Sequence, residues 1–236
     1  MAANSAVDRF TTSEIDALAE RFESQPASEL IAWAGEQWGE RLVLTCSWQK
    51  QSSILVHLVA QHAPRTRIVE IDTGLLYAET HATRARLVER YGIEVETIRP
   101  QRTVEEQALA EGDRLWERDP DRCCGLRKVA PFEQALAGAG GWLSGVRREQ
   151  SAARRDIRKV ALDAKRGVVK LQPLADWTDR ECWSFVVSHR IPYHALHDTG
   201  YPSIGCMPCT RQVVAGEDER GGRWAGSGKS ECGLHG

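Results

Sequence analysis

Little in this 236-residue chain is extreme, and the absences narrow the field first. No apolar run approaches the roughly 20 residues that span a bilayer, so no membrane partner is expected. The N-terminus, MAANSAVDRFTTSE, lacks a basic stretch followed by an apolar one and does not read as a secretory signal. A cytoplasmic, reducing location is therefore the expectation. The formal net charge is only −2, which gives no global attraction toward nucleic acid; any anion site must come from local clustering of basic residues. Aromatic residues make up 7% of the chain, too few to suggest a stacking surface for RNA. There is no internal repeat and no low-complexity tract. Oligomeric state is left open, a homo-oligomer included.

What is present describes a soluble α/β protein. The hydrophobic share of 42% and the charged share of 27% are ordinary for a globular domain, and the length allows one core with a small appendage. Residues 12–24 have the spacing of an amphipathic helix, capped by Thr12 or Ser13, with Ile15, Leu18, Ala19 and Phe22 on one face. RLVLTC (41–46), RIVEI (67–71), EVETI (94–98), GWLSGV (141–146) and VVKLQ (168–172) read as strands, with helical segments between the first three. One such helix runs from about Gln51. Strand and helix in alternation predict a mostly parallel sheet covered on both faces. After about Tyr201 glycine becomes frequent and apolar periodicity stops. The expected organisation is an α/β nucleotide-binding domain over 1–200, followed by a C-terminal segment, 201–236, draped over it as a mobile tail.

Ligands of such sheets bind at the carboxyl ends of the strands. That selects three loops: CSWQKQS, DTGLLYAET and VRREQSAARRD. The first follows a strand and opens a helix, where backbone N–H groups can cradle phosphate. ATP pyrophosphatases of similar fold carry S-G-G-x-D-S there. Here Ser47 and Ser52 keep the outer serines, but both glycines and the aspartate are missing. Magnesium-dependent ATP cleavage is not expected, while nucleotide binding is. GSGKS (226–230) looks like the end of a P-loop, yet the first glycine that motif needs falls on Arg223, and no strand precedes it.

Seven cysteines in a reducing compartment point to metal or redox chemistry rather than a disulfide framework. Cys123 and Cys124 are adjacent, and Cys206 and Cys209 form a C-x-x-C. Neighbouring cysteines bite a single zinc ion poorly. They suit a [4Fe–4S] cluster better, because each thiolate binds a different iron, provided that the backbone kinks; Gly125 follows and would permit a kink. The spacing favours a cluster, and zinc, a strained disulfide and four ordinary buried thiols stay open at this point. Cys46 and Cys182 fall outside the set and read as core packing.

RCCGLRKVAPF, YPSIGCMPCT and the terminal KSECGLHG, in that order, resemble the assimilatory sulfonucleotide reductases, and more narrowly the cluster-containing adenylyl-sulfate reductases. IDTGLLYAET, GWLSGVRREQS, PLADWTD and DERGGRW extend the resemblance over most of the chain from about Leu42; residues 1–40 carry little of it. The resemblance implies an adenine nucleotide α-hydrolase-like fold and a [4Fe–4S] cluster on Cys123, Cys124, Cys206 and Cys209. It implies reduction of adenylyl sulfate to sulfite and AMP by a thioredoxin or glutaredoxin-like reductant, with Cys232 as the catalytic thiol. Lys128 would couple cluster and sulfate by charge, and His235 would assist near the thiol. Ser47, Ser52, Thr73, Gly74, Gly145, Arg147, Arg155, Arg220 and Arg223 would surround the nucleotide. Arg148, Arg154, Arg158 and Lys159, the rest of the basic run, are expected at the surface.

A thiol four residues from the end of a glycine-rich tail makes chemical sense in that setting. A thiolate is a soft nucleophile for sulfur, and an arm can carry it into a cleft and out to a protein reductant. Taken without the resemblance, Lys128 is a helix-surface lysine and His235 a histidine in a loose tail. Two other readings remain: an enzyme for 3′-phosphoadenylyl sulfate, and a zinc-stabilised module that binds RNA or a partner through its arginine-rich loop.

Overall fold

The computed structural model describes residues 10–227, 229 and 231–234. Two helices, α1 (Thr12–Glu23) and α2 (Ala27–Trp38), precede the sheet. The cap of α1 is Thr11, one residue before the expected position. Its hydroxyl accepts from Glu14 N–H while the Glu14 carboxylate accepts from Thr11 N–H, a reciprocal box that closes the first turn. Ile15, Ala19 and Phe22 are buried, and Leu18 packs beside them.

The strands are β1 (Leu42–Cys46), β2 (Arg67–Ile71), β3 (Val95–Ile98), β4 (Gly141–Leu143), β5 (Val160–Asp163) and β6 (Val168–Leu171). Among the described residues they form one sheet in the order β3-β2-β1-β4-β6-β5. Every pairing is parallel except that of β5 with β6. The apolar runs of β1 and β2 explain their central places, since a strand covered on both faces has no solvent side to supply with polar residues. Leu42, Val43 and Leu44 are fully buried. β5 is the strand the alternation pattern does not reveal. It is an antiparallel edge strand tied to β6 by a hairpin, in which Gly167 N–H donates to Asp163 O at 2.8 Å.

Helices α3 (Lys50–His62), α4 (Ala78–Tyr91) and α5 (Val104–Glu111) follow β1, β2 and β3 in turn. Short α6 (Leu115–Arg118) leads to α7 (Pro120–Cys124), which runs through one π-helical turn, Gly125–Val129, into α8 (Ala130–Leu136). α9 (Asp179–Ser188) comes after the sheet. Trp142, fully buried on β4, donates its indole N–H to Thr45 Oγ1 at 2.8 Å and meets the Phe132 ring edge-on at 4.8 Å. Those contacts seat α8 on the sheet. Strand order reverses between β1 and β4, so the crevice at their carboxyl ends is the topological switch point.

Candidate active site

A cleft open to solvent occupies that switch point. β1 contributes Thr45 and Cys46, and the loop and helix beyond it add Ser47, Gln51 and Ser52. Thr73 comes from the β2 loop, and Ser144 and Gly145 from the end of β4. Lys128 reaches in from the π-helical turn, and the C-terminal segment closes the far wall with Arg220, Arg223, Trp224, Cys232 and Leu234.

The loop after β1 is shaped by Trp48. This residue sits at φ 58, a conformation that disfavours a side chain, and is held there by burial and by its indole N–H donating to Glu70 Oε2 at 2.7 Å. Ser47 N–H donates to Ser52 Oγ at 3.1 Å, and the two hydroxyls are also 3.1 Å apart, so the outer serines brace one another across the turn. His197 accepts the Lys50 N–H at 3.3 Å, and Gln49 Oε1 accepts the Ile204 N–H at 2.8 Å. The first turn of α3 is thus docked onto the segment that leads to the C-x-x-C. The amide nitrogen of Gln51, buried in the cleft wall, has no partner among the described residues.

Thr73 is 1% exposed, and its hydroxyl lies 3.3 Å from Cys206 Sγ. Gly74, at φ 71, turns the chain outward, donates its N–H to Asp72 Oδ1, and does not line the cleft. Arg127, buried, spans from Thr73 O at 2.6 Å to Gln107 Oε1 at 3.1 Å. Met207 N–H donates to Leu75 O at 2.8 Å. The loop after β2 and the cysteine loop are therefore one connected unit.

Cys123, Cys124, Cys206 and Cys209 converge on a second, small cavity, lined also by Lys128 and Trp224. Cys123 and Cys124 sit in regular helical geometry, and Gly125 is ordinary right-handed helix (φ −53, ψ −52). The kink expected there is absent; the π-helical turn that follows changes the register instead. Burial pushes the Cys123 and Cys209 thiols up to about 11 each, reinforced by the neighbouring cysteines. Cys206 goes the other way. Burial opposes its thiolate, but Lys128, the Thr73 hydroxyl and Arg223 outweigh it and lower the pKa. Lys128 responds in kind: burial works against its charge, and the Cys206, Cys232 and Cys124 sulfurs raise its pKa despite that and despite nearby Arg223. Among the described residues no three His, Cys, Asp or Glu side chains gather as the ligands of a single ion. Four sulfur atoms, two from α7 and two from the C-x-x-C turn, line this one cavity.

The basic residues divide differently from expectation. Arg147 is fully buried away from the cleft. It donates to Glu149 at 2.8 Å, Asp179 at 3.1 Å, Glu219 at 2.9 and 3.1 Å, and Trp177 O at 3.0 Å. Arg155 is exposed, on a shallow surface depression with Glu20 and Glu23. Arg154, expected at the surface, is 7% exposed and lines the cleft. Lys159 is also buried, donating to Asp176 and to Gln25 O. An irregular loop has no periodicity from which inward and outward positions can be read, so only the folded chain separates these arginines.

Arg223 is 8% exposed, stacks over Trp224 at 4.5 Å, and donates to Ser203 Oγ and Ile204 O at 3.2 Å each. Its Nε, buried, has no partner among the described residues. Gly205 lies directly beneath it: a Cβ there would come within 2.1 Å of Arg223 Nη2 and push the guanidinium aside. Burial, followed by the adjacent Arg154, brings Arg220 down to about 10. Cys232 is half-buried in the cleft wall. Lys229 pairs with Asp121 on α7. His235 lies outside the described residues. Cys46 and Cys182 are buried, as expected of core packing.

The mostly parallel sheet, with a cleft at its switch point, is a doubly wound α/β fold of the adenine nucleotide α-hydrolase-like kind. Solved structures agree on the fold. A phosphoadenylyl-sulfate reductase from Candida auris superposes with a TM-score of 0.77 at 24% identity, covering 86% of this chain and 98% of that one. A Candida glabrata FMN adenylyltransferase gives 0.57 at 16% identity, over 87% and 70%. Residues 41–212 match the phosphoadenosine phosphosulfate reductase domain, and the chain belongs to that family. Relatives named adenosine 5′-phosphosulfate reductase are 44% identical in Geobacillus thermodenitrificans (97% of each chain) and 43% in Streptomyces coelicolor (96% and 97%). One in Bacillus subtilis is 43% identical, over 89% and 90%. No helix among the described residues is long and apolar enough to cross a membrane.

Proposed function

We propose that this chain reduces adenylyl sulfate to sulfite and AMP, with Cys232 as nucleophile and a thioredoxin-type dithiol as electron donor. The reading rests on one observation: the Cys232 thiol lines the same switch-point cleft as Lys128, Arg220 and Arg223. The thiolate attacks the sulfuryl sulfur. A bond forms between Cys232 Sγ and that sulfur, the bond from that sulfur to the bridging oxygen breaks, and AMP leaves with its electron pair on that oxygen. A thiolate of the dithiol then attacks Cys232 Sγ, and sulfite departs with the electron pair of the S–S bond. The second thiol resolves the mixed disulfide, so the dithiol is oxidised by two electrons and the sulfate sulfur reduced by two.

The reaction brings an anionic nucleophile to an anionic substrate, and the cleft must offset that repulsion. Lys128 and Arg223 present positive charge where it is shielded from water, and the unpartnered Arg223 Nε is a donor left over for a sulfate or phosphate oxygen. Ser47, Ser52, Thr73 and Gly145 line the remaining wall toward the adenosine, and Gly74 shapes the Thr73 loop. Arg147, buried away from the cleft, is not part of the nucleotide site. His235 would assist the departing charge.

Cys123, Cys124, Cys206 and Cys209 would hold a [4Fe–4S] cluster, one thiolate to each iron. Bound there, it supplies a compact anionic charge beside Lys128.

The test is intact-mass measurement after adding adenylyl sulfate without reductant. The wild type should gain one sulfonate group, and Cys232→Ser should gain none and lose turnover. A serine variant with normal turnover would end the proposal. Steady-state rates with adenylyl sulfate and its 3′-phosphorylated form should favour the former; the reverse preference would change the substrate assignment.

A further inference from the structure

The C-terminal segment is fastened to the loop after β4 by two carboxylates. Glu219, at the base, is held by Arg147. Glu231, immediately before Cys232, is held by Arg154: Nε donates to one carboxylate oxygen and Nη2 to the other, each at 2.8 Å. Arg220 donates to the same carboxylate at 3.1 Å. Arg154 is 7% exposed and Glu231 half-buried, so this fork-to-fork pair is shielded from solvent screening. On the other side of Cys232, Leu234 packs against the apolar cluster that contains Phe132 and Trp142. The thiol is thus bracketed by an ion pair and an apolar contact, with Gly233 at φ 80 between Cys232 and Leu234.

We infer that Arg154 and Glu231 are a positioning pair, a latch that holds the Cys232 thiol in the cleft and whose opening presents it outside. A nucleophile that serves first a buried nucleotide and then a protein dithiol needs two positions, and an ion pair one residue away gives the inner one a definite geometry. The carboxylate also occupies two cleft arginines whose charge suits an oxyanion. The inference builds on the role proposed for Cys232, but its test does not depend on that role.

The experiment is alkylation of the full-length protein by iodoacetamide, a neutral probe, without nucleotide, followed on the Cys232 peptide by mass spectrometry. A latch and a purely electrostatic effect predict opposite results for one variant. Glu231→Gln removes a negative charge and speeds alkylation in either case. Arg154→Gln removes a positive charge, which alone would slow it, whereas an opened latch speeds it. Both variants should react about threefold faster or more, the lower bound being what even a solvent-screened ion pair contributes. The charge-swapped double variant, Arg154→Glu with Glu231→Arg, should return toward the wild-type rate. An unchanged or slowed rate in Arg154→Gln would overturn the inference. Failure of the wild type to gain a sulfonate group would instead sink the proposed reaction, and the alkylation result would stand on its own.

Discussion

The hydroxyl of Thr73 lies 3.3 Å from the sulfur of Cys206, across 133 residues of sequence. One end of this contact lines the switch-point cleft, and the other belongs to the four-cysteine cavity. The two sites therefore share a wall.

Thr73→Val should loosen that wall while keeping its shape. The variant loses the contact to Cys206 and the acceptor for Leu75 N–H. The expected cost is about 1–2 kcal/mol, read as a lower urea midpoint with an unchanged slope. A midpoint equal to that of the wild type would show that the contact carries no net stability.

Arg147→Ala should be far more damaging. It removes a fully buried guanidinium from among Glu149, Asp179 and Glu219, and leaves Glu219, the least exposed of the three, without its cation while the arginine's own buried site empties. About 3–5 kcal/mol is expected from denaturant unfolding. A loss under about 1 kcal/mol would mean that solvent already screens the network, as it does for exposed pairs.

Acid should weaken the fold through two histidines. Burial lowers His194 from 6.5 to about 4, and burial followed by Lys50 lowers His197 from 6.5 to about 4. Between those values the unfolded chain binds protons that the native state refuses. Stability from these groups is full above pH 6.5, falls as the pH drops toward 4, and is level below it. The slope should approach about 1.4 kcal/mol per pH unit for each histidine. His197→Gln should flatten the profile in that window, measured as unfolding free energy against pH; an unchanged profile would refute the assignment.

Cys209→Ser should lower iron content and alter the visible absorbance of anaerobically purified protein. Cys182→Ser should leave both unchanged, because Cys182 is buried on α9 and does not line the cysteine cavity. A colourless wild type carrying stoichiometric zinc would contradict the cluster.

Much of this architecture is legible in the residue order. The apolar runs at 42–46 and 67–71 mark β1 and β2, because a central strand must be apolar on both faces. β5 is not legible from alternation, since an edge strand needs only one buried face and VALD is half exposed. The cysteine pairs mark their own positions by type and spacing. Arg154 carries no such mark: beside Arg155 in an irregular loop, nothing local distinguishes the inward guanidinium from the outward one. Trp48 could have been noticed as a bulky residue where related loops carry glycine.

The sequence by itself determined the class of sheet, the loops at its carboxyl edge and the thiols available for chemistry, because these follow from local hydrophobic pattern and residue type. Only the tertiary structure decided which charges meet. It buried Arg147 among carboxylates, set Arg154 on Glu231, and brought Thr73 to Cys206. Coulomb energy and hydrogen bonding depend on distance and burial, and neither quantity exists until the chain has folded.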